Sequence, residues 1–256
     1  MMDGFIGVMD SGVGGISVLR EMVRFMPQED FVFFGDSANA PYGTRTTEDV
    51  RRKVFAIVER FLRDGAKAIG IACNTATTAA VALLRERYPA VPLVGIEPAL
   101  KPAALQHPGG RILVMATPMT IREEKFRVLM ERYGGNADVI PLACPGLMEY
   151  VEAGKADSEE VGRFLQDLLA PYLDQGLSAV VLGCTHYPFV IHRIRQIIGD
   201  SVAVYDGGEG TARELRRRLA EAGLLRQEDG KAGTVVFRNS DPSPEKIALC
   251  ERLLAG

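Results

Sequence analysis

Cysteine and histidine are scarce in this sequence, with four of the one and three of the other in 256 residues. The cysteines (Cys73, Cys144, Cys184 and Cys250) are widely spaced and form no CxxC pair. That spacing argues against the dense disulfide framework of a small secreted domain. A surplus of charge is missing too. A formal net charge of −3 is too weak to draw the chain to nucleic acid or an anionic membrane, and neither is expected as a partner. No uninterrupted apolar run approaches the ~18–20 residues of a membrane span. The opening "MMDGFIGVMDSGVGG" lacks the basic n-region of a secretory signal. The expectation is a soluble, cytoplasmic chain whose thiols stay reduced and available for chemistry.

What remains is ordinary globular material, 47% hydrophobic and 25% charged, in a chain long enough for one large domain or two smaller ones. Short apolar runs recur: "FIGVM" (5–9), "FVFF" (31–34), "AIGIA" (68–72), "PLVGI" (92–96), "RILVMA" (111–116), "DVIPL" (138–142), "AVVLG" (179–183), "VAVY" (202–205) and "TVVF" (234–237). Amphipathic stretches such as "TEDVRRKVFAIVERFLRDG" and "EEVGRFLQDLLAPYLDQG" lie between them. Strands of this kind alternating with helices predict an α/β fold of doubly wound, mainly parallel sheets. "AIGIACNTATTAA" (68–80) and "VVLGCTHYPFV" (180–190) echo one another, each an apolar strand ending in a small residue, a cysteine and polar residues. The echo predicts two similar halves, and the Pro-rich "GIEPALKPAALQHPGG" (95–110) is the boundary candidate. One domain is expected over residues 1–97 together with 207–256, and the other over 98–206.

Open α/β sheets bind ligands beyond the carboxyl ends of their strands. The residues at those ends are Asp10 and Ser11, Asp36, then Cys73, Asn74 and Thr75, then Glu97, Thr117, and finally Cys184, Thr185 and His186. Each has a plain structural alternative. A lone buried cysteine is more often a small hydrophobe than a nucleophile, and Asp10 or Thr75 could cap the helix that follows. The recurrence of cysteine at matched strand ends weighs against these alternatives. Cys144 in "LACPG" and Cys250 in "EKIALCERLL" lack that context and are read as structural. "DSGVGG" (10–15) is neither GxGxxG nor a P-loop, so its backbone N–H groups suit a carboxylate at least as well as a phosphate. The "PYG" turn (Pro41, Tyr42, Gly43) could serve the same end.

Two thiols facing one another could form a disulfide, bind a metal or move protons. A zinc site needs about four ligands, and the Cys184–His186 spacing gives poor ligand geometry, so no metal is expected. A cysteine hydrolase leaves the second thiol unexplained. Proton transfer uses both: one thiolate takes a proton from one face of a carbon acid, and the other thiol returns one to the opposite face. Asp10 could assist Cys73 in this, and His186 could assist Cys184. No motif for pyridoxal phosphate is evident, and the thiol pair needs no cofactor.

"DSGVGG", "GDSANAPYGTRT", "ACNTAT", "LGCTHYP" and "EGTARELRRRL" together resemble the glutamate racemases of the cofactor-independent aspartate/glutamate racemase superfamily. The resemblance runs from the first strand to the last helix. It implies two α/β domains with the substrate at their interface and Cys73 and Cys184 as the acid/base pair. It further implies substrate contacts from Asp10, Ser11, Tyr42, Gly43, Asn74, Thr75, Thr185 and His186, to which Pro41 and Thr117 are added by position. Asp36 and Glu152 (in "YVEAGK") match the family's auxiliary acidic residues. The reaction implied is the interconversion of L- and D-glutamate for peptidoglycan synthesis, in a homodimer. The rivals are a racemase of another acidic amino acid, such as aspartate, and a non-catalytic amino-acid-binding protein. Ser37-Ala38-Asn39 departs from the more usual GDT-A-R reading of the family. The N-terminal extension of members that respond to a cell-wall precursor is also missing, and activation of that kind is not expected.

Overall fold

The computed structural model describes residues 4–122, 124–227 and 231–256. The described residues contain nine strands: β1 (Ile6–Asp10), β2 (Phe31–Gly35), β3 (Ala68–Ile71), β4 (Leu93–Gly95), β5 (Arg111–Ala116), β6 (Asp138–Ala143), β7 (Leu177–Leu182), β8 (Ala203–Asp206) and β9 (Val235–Asn239). Each falls on one of the nine apolar runs, displaced by no more than two residues at either end. The chain forms two compact units, one of residues up to Glu97 with Gly208–Gly256, the other Pro98–Gly207.

The first unit carries a five-stranded sheet in the order β4-β3-β1-β2-β9, parallel throughout. β1 and β3 are buried along their whole length, as parallel strands covered on both faces must be. The helix Thr47–Arg63 shows how local sequence builds the cover. Thr46 Oγ1 accepts the Asp49 N–H, Glu48 and Asp49 lie at the positive end, and Arg60 and Arg63 lie at the negative end. Its buried residues, Val50, Val54, Val58 and Phe61, recur every three or four positions and make one apolar stripe.

The second unit carries a four-stranded parallel sheet, β6-β5-β7-β8. Ile112, Val114, Ala179 and Val181 on β5 and β7 pack with Leu100, Ala103 and Phe126 in one buried cluster. The helix Glu159–Leu173 starts at Ser158, whose Oγ accepts the Val161 N–H, and buries Val161, Leu165 and Leu169. No described helix is long and apolar enough to cross a membrane.

Strand order locates the candidate site in each unit. From β1 the chain moves outward on one side to β2, and then crosses to β3 on the other side. From β5 it moves to β6 on one side and then to β7 on the other. The carboxyl ends of β1 and β3, and of β5 and β7, are therefore topological switch points, where diverging connections leave a crevice. Cys73 lies two residues beyond β3 and Cys184 two residues beyond β7.

Candidate active site

In the first unit, Asp10 is the last residue of β1 and is fully buried. Its Oδ1 accepts the Gly12 N–H at 3.0 Å, which fixes the turn. The helix Ile16–Phe25 then starts at Gly15, with no side-chain capping bond. A Cβ on Gly15 would lie 2.4 Å from Asp10 Cβ, so only glycine lets this helix begin over the carboxylate. Asp10 is thus tied to its own loop and does not cap the helix.

Next to it, Cys73 is the N-cap of the helix Asn74–Arg87. Its Sγ accepts the Ala76 N–H at 3.4 Å and lies 3.6 Å from Ser11 Oγ. The sulfur itself, rather than Thr75, caps this helix. A sulfur at a helix N-terminus sits in the positive end of the peptide dipoles, which favour a thiolate over a thiol. Asn74 and Thr75 follow in the first turn, both buried. Asn74 Oδ1 has no hydrogen-bond partner among the described residues. An acceptor buried this way costs about 1–3 kcal/mol unless a donor reaches it.

Asp36 follows β2, and its N–H donates to Asp10 O at 2.9 Å. Its Oδ2 accepts the Tyr42 hydroxyl at 2.6 Å and its Oδ1 accepts the Asn39 amide at 2.9 Å. Residues 37–39 and 42–44 are single 3₁₀ turns, with Pro41 between them and Gly43 inside the second. Burial, and then the Asp36 carboxylate, push the Tyr42 phenol far above its ordinary range, so it remains a donor.

In the second unit, Gly183 carries the chain out of β7. Its N–H donates to Met115 O at 2.7 Å, and a Cβ there would also lie 2.7 Å from that oxygen. Glycine is therefore required where β7 presses against the end of β5. Cys184 Sγ then lies 3.6 Å from His186 Nδ1, and His186 Nε2 lies 2.9 Å from Glu152 Oε1. Glu152 ends the helix Leu147–Glu152. Burial alone lowers the pKa of His186, but its hydrogen bonds to Cys184 and Glu152 outweigh that and hold it well above the ordinary value. The ring is then an imidazolium with one N–H aimed at sulfur and the other at a carboxylate. Thr185, which separates Cys184 from His186 in the sequence, is buried. Thr117, beyond β5, lies 2.9 Å by its hydroxyl from Thr120 Oγ1 and accepts the Thr120 N–H.

The structure thus gathers Asp10, Ser11, Asp36, Tyr42 and Cys73 in one unit, and Glu152, Cys184 and His186 in the other. Several neighbours have no signal in sequence spacing. Cys144 is buried, its Sγ donating to Leu142 O at 3.4 Å. Burial and the nearby Cys184 push its thiol up to about 12, so it is neutral. Tyr187 donates to the Cys144 carbonyl at 3.4 Å. Cys250 is buried within the helix Pro244–Ala255. No disulfide joins the cysteines, and no group of three or more metal-ligating side chains occurs among the described residues.

Comparison with known proteins follows the same outline. Residues 6–215 match the Asp/Glu/Hydantoin racemase family. A glutamate racemase of Clostridium perfringens is 48% identical over 97% of this chain and 95% of its own. Among solved structures, a glutamate racemase isoform of Bacillus anthracis superposes with a TM-score of 0.87 at 32% identity, covering 99% of this chain and 94% of that one. The glutamate racemase of Francisella tularensis in complex with D-glutamate gives 0.85 at 26% identity, covering 100% of this chain and 95% of that one.

Proposed function

The chain belongs to the Asp/Glu/Hydantoin racemase family, and from that premise we propose that it interconverts L- and D-glutamate with two thiols as its acid and base. The observation that carries this reading is that a cysteine stands at the switch point of each sheet with its own charge-stabilising partners. For Cys73 this is the helix N-terminus, whose Ala76 N–H the sulfur accepts, while the thiol faces the Ser11 hydroxyl oxygen at 3.6 Å. For Cys184 they are the imidazolium of His186, backed by Glu152. In the forward step one thiolate takes the α-proton, and the electron pair of the broken C–H bond passes into the α-carboxylate. The opposing thiol then gives its proton to the other face of the carbon, and the configuration inverts. In the reverse direction the thiols exchange roles. The chemistry requires no cofactor.

Substrate binding is assigned to Asp10, Ser11, Pro41, Tyr42, Gly43, Asn74, Thr75, Thr117, Thr185 and His186. The buried Oδ1 of Asn74 suits an ammonium donor, because a substrate N–H would supply its missing partner. Asp36 acts by holding Tyr42. The product D-glutamate would serve peptidoglycan synthesis, and the protein would work as a homodimer in the cytoplasm.

The test is a circular-dichroism assay of purified protein with L-glutamate or L-aspartate and no added cofactor. Aspartate is one methylene shorter, so with its α-carbon at the thiols its second carboxylate leaves polar donors unpaired. Unpaired buried groups discriminate more strongly than a methylene in an apolar pocket, which gives only about 1–3 kcal/mol. kcat/KM for glutamate is expected to exceed that for aspartate by at least about a hundredfold. Comparable values would leave only a racemase of acidic amino acids. No turnover of either acid would favour a binding protein.

A further inference from the structure

We infer that Lys53 is a positioning residue for this reaction, acting through Asn39 to hold the Asp36 carboxylate and, with it, the Tyr42 turn. The inference rests on the glutamate-racemase reading above and extends it to two residues with no assigned role. Lys53 lies on the helix Thr47–Arg63, fourteen residues from Asn39, and its Nζ donates to Asn39 Oδ1 at 2.8 Å. Asn39 Nδ2 donates in turn to Asp36 Oδ1 at 2.9 Å, while Tyr42 donates to Asp36 Oδ2 at 2.6 Å. Arg45 Nε fixes the backbone of the same residue, donating to Asn39 O at 2.6 Å. The result is one line from an ammonium, through an amide, to a carboxylate and a buried phenol.

Charge fixes the direction of that line. A flipped Asn39 amide would set its oxygen against the Asp36 carboxylate and its NH₂ against the Lys53 ammonium, and both contacts would be repulsive. Lys53 therefore selects the orientation of the amide, and its charge polarises the N–H that Asp36 accepts. With Asn39 as donor to one oxygen and Tyr42 as donor to the other, the carboxylate cannot rotate. Tyr42 is thereby held, and with it the turn whose Pro41, Tyr42 and Gly43 the proposed function assigns to substrate binding. Asn39 carries no charge of its own, and the cation comes from the neighbouring helix.

Such a relay acts on binding more than on the proton transfer itself. K53M and N39A should each raise KM for glutamate about tenfold, the size of one charge-assisted hydrogen bond, with kcat within about threefold. If Lys53 works only through Asn39, the K53M/N39A double variant should be no worse than the worse single variant, whereas independent effects would multiply to about a hundredfold. K53R, which keeps a cationic donor, should recover most of the loss. R60M is the control, because Arg60 is exposed on the same helix two turns beyond Lys53 and should leave KM unchanged. A second readout is independent of turnover. The chain has no tryptophan, so its tyrosine absorption is unobscured. The K53M-minus-wild-type difference spectrum should show a tyrosine band that disappears when the same pair is made in a Y42F background. Unchanged KM in K53M, multiplying losses in the double variant, or no Tyr42-dependent band would each overturn the relay. A wild-type protein inactive on glutamate that still shows the band would keep the relay and remove the glutamate reading.

Discussion

Alanine at Cys73 or at Cys184 is expected to lower kcat for glutamate racemisation by about 10⁴-fold or more, the upper end for loss of a positioned acid/base group. Both directions should fail in both variants, because the thiol that is the base in one direction is the acid in the other. Serine should do no better than alanine. Its hydroxyl is a far weaker acid than a thiol, and the helix N-terminus at Cys73 or the imidazolium at Cys184 cannot close that gap. Cys144→Ala and Cys250→Ala are the controls. Cys144 is a neutral, buried thiol bonded to a backbone carbonyl, and Cys250 lies inside a helix. Both controls should keep activity within about threefold, since neither removes an acid/base group. The measurement is the initial change in circular dichroism starting from each enantiomer. Wild-type rates in Cys73→Ala or Cys184→Ala would sink the two-thiol mechanism.

The His186–Glu152 pair should give the next largest effect. His186→Asn removes the cation that faces Cys184, and kcat should fall by about 10²–10³. The loss should differ between the L→D and D→L directions, because His186 serves one face of the carbon only. The Haldane relation ties the two kcat/KM values to one ratio, so the asymmetry must appear in kcat and KM separately. Glu152→Gln tests the same pair through pH. The imidazolium is held by the Cys184 and Glu152 hydrogen bonds against the opposing effect of burial. Activity that depends on it is present below its raised pKa and is lost as pH rises through that value. Removing the Glu152 charge lowers that pKa, so the alkaline limb of kcat should move to lower pH. An alkaline limb that stays in place would show that Glu152 does not act through His186.

Much of this arrangement was legible in the sequence for one reason: a parallel sheet presents its chemistry at strand ends, and apolar runs mark strand ends closely. Asp10, Asp36, Cys73, Thr117 and Cys184 each follow a run that forms a strand. Their partners were harder to read. Glu152 and His186 are 34 residues apart and meet only because the helix Leu147–Glu152 folds back over the end of β7. Only the family resemblance pointed to Glu152. The capping role weighed as a plain structural alternative for Thr75 belongs to Cys73, because N-cap propensity points to a hydroxyl before a sulfur acceptor. Lys53 gave no signal at all. In a helix patterned as Val50, Val54 and Val58, a lysine at the margin of the stripe reads as a solvated charge.

Solvent deuterium tests the central claim most directly. Racemisation of L-glutamate in deuterated water is followed at early times, with the two enantiomers separated and the α-position of each analysed for deuterium. If one thiol serves each face, the proton removed stays on the thiol that took it, while the deuterium delivered comes from the other. D-glutamate should then carry α-deuterium from the first turnover, and recovered L-glutamate should remain almost unlabelled. Equal initial labelling of substrate and product would mean that a single group serves both faces, and would contradict the account.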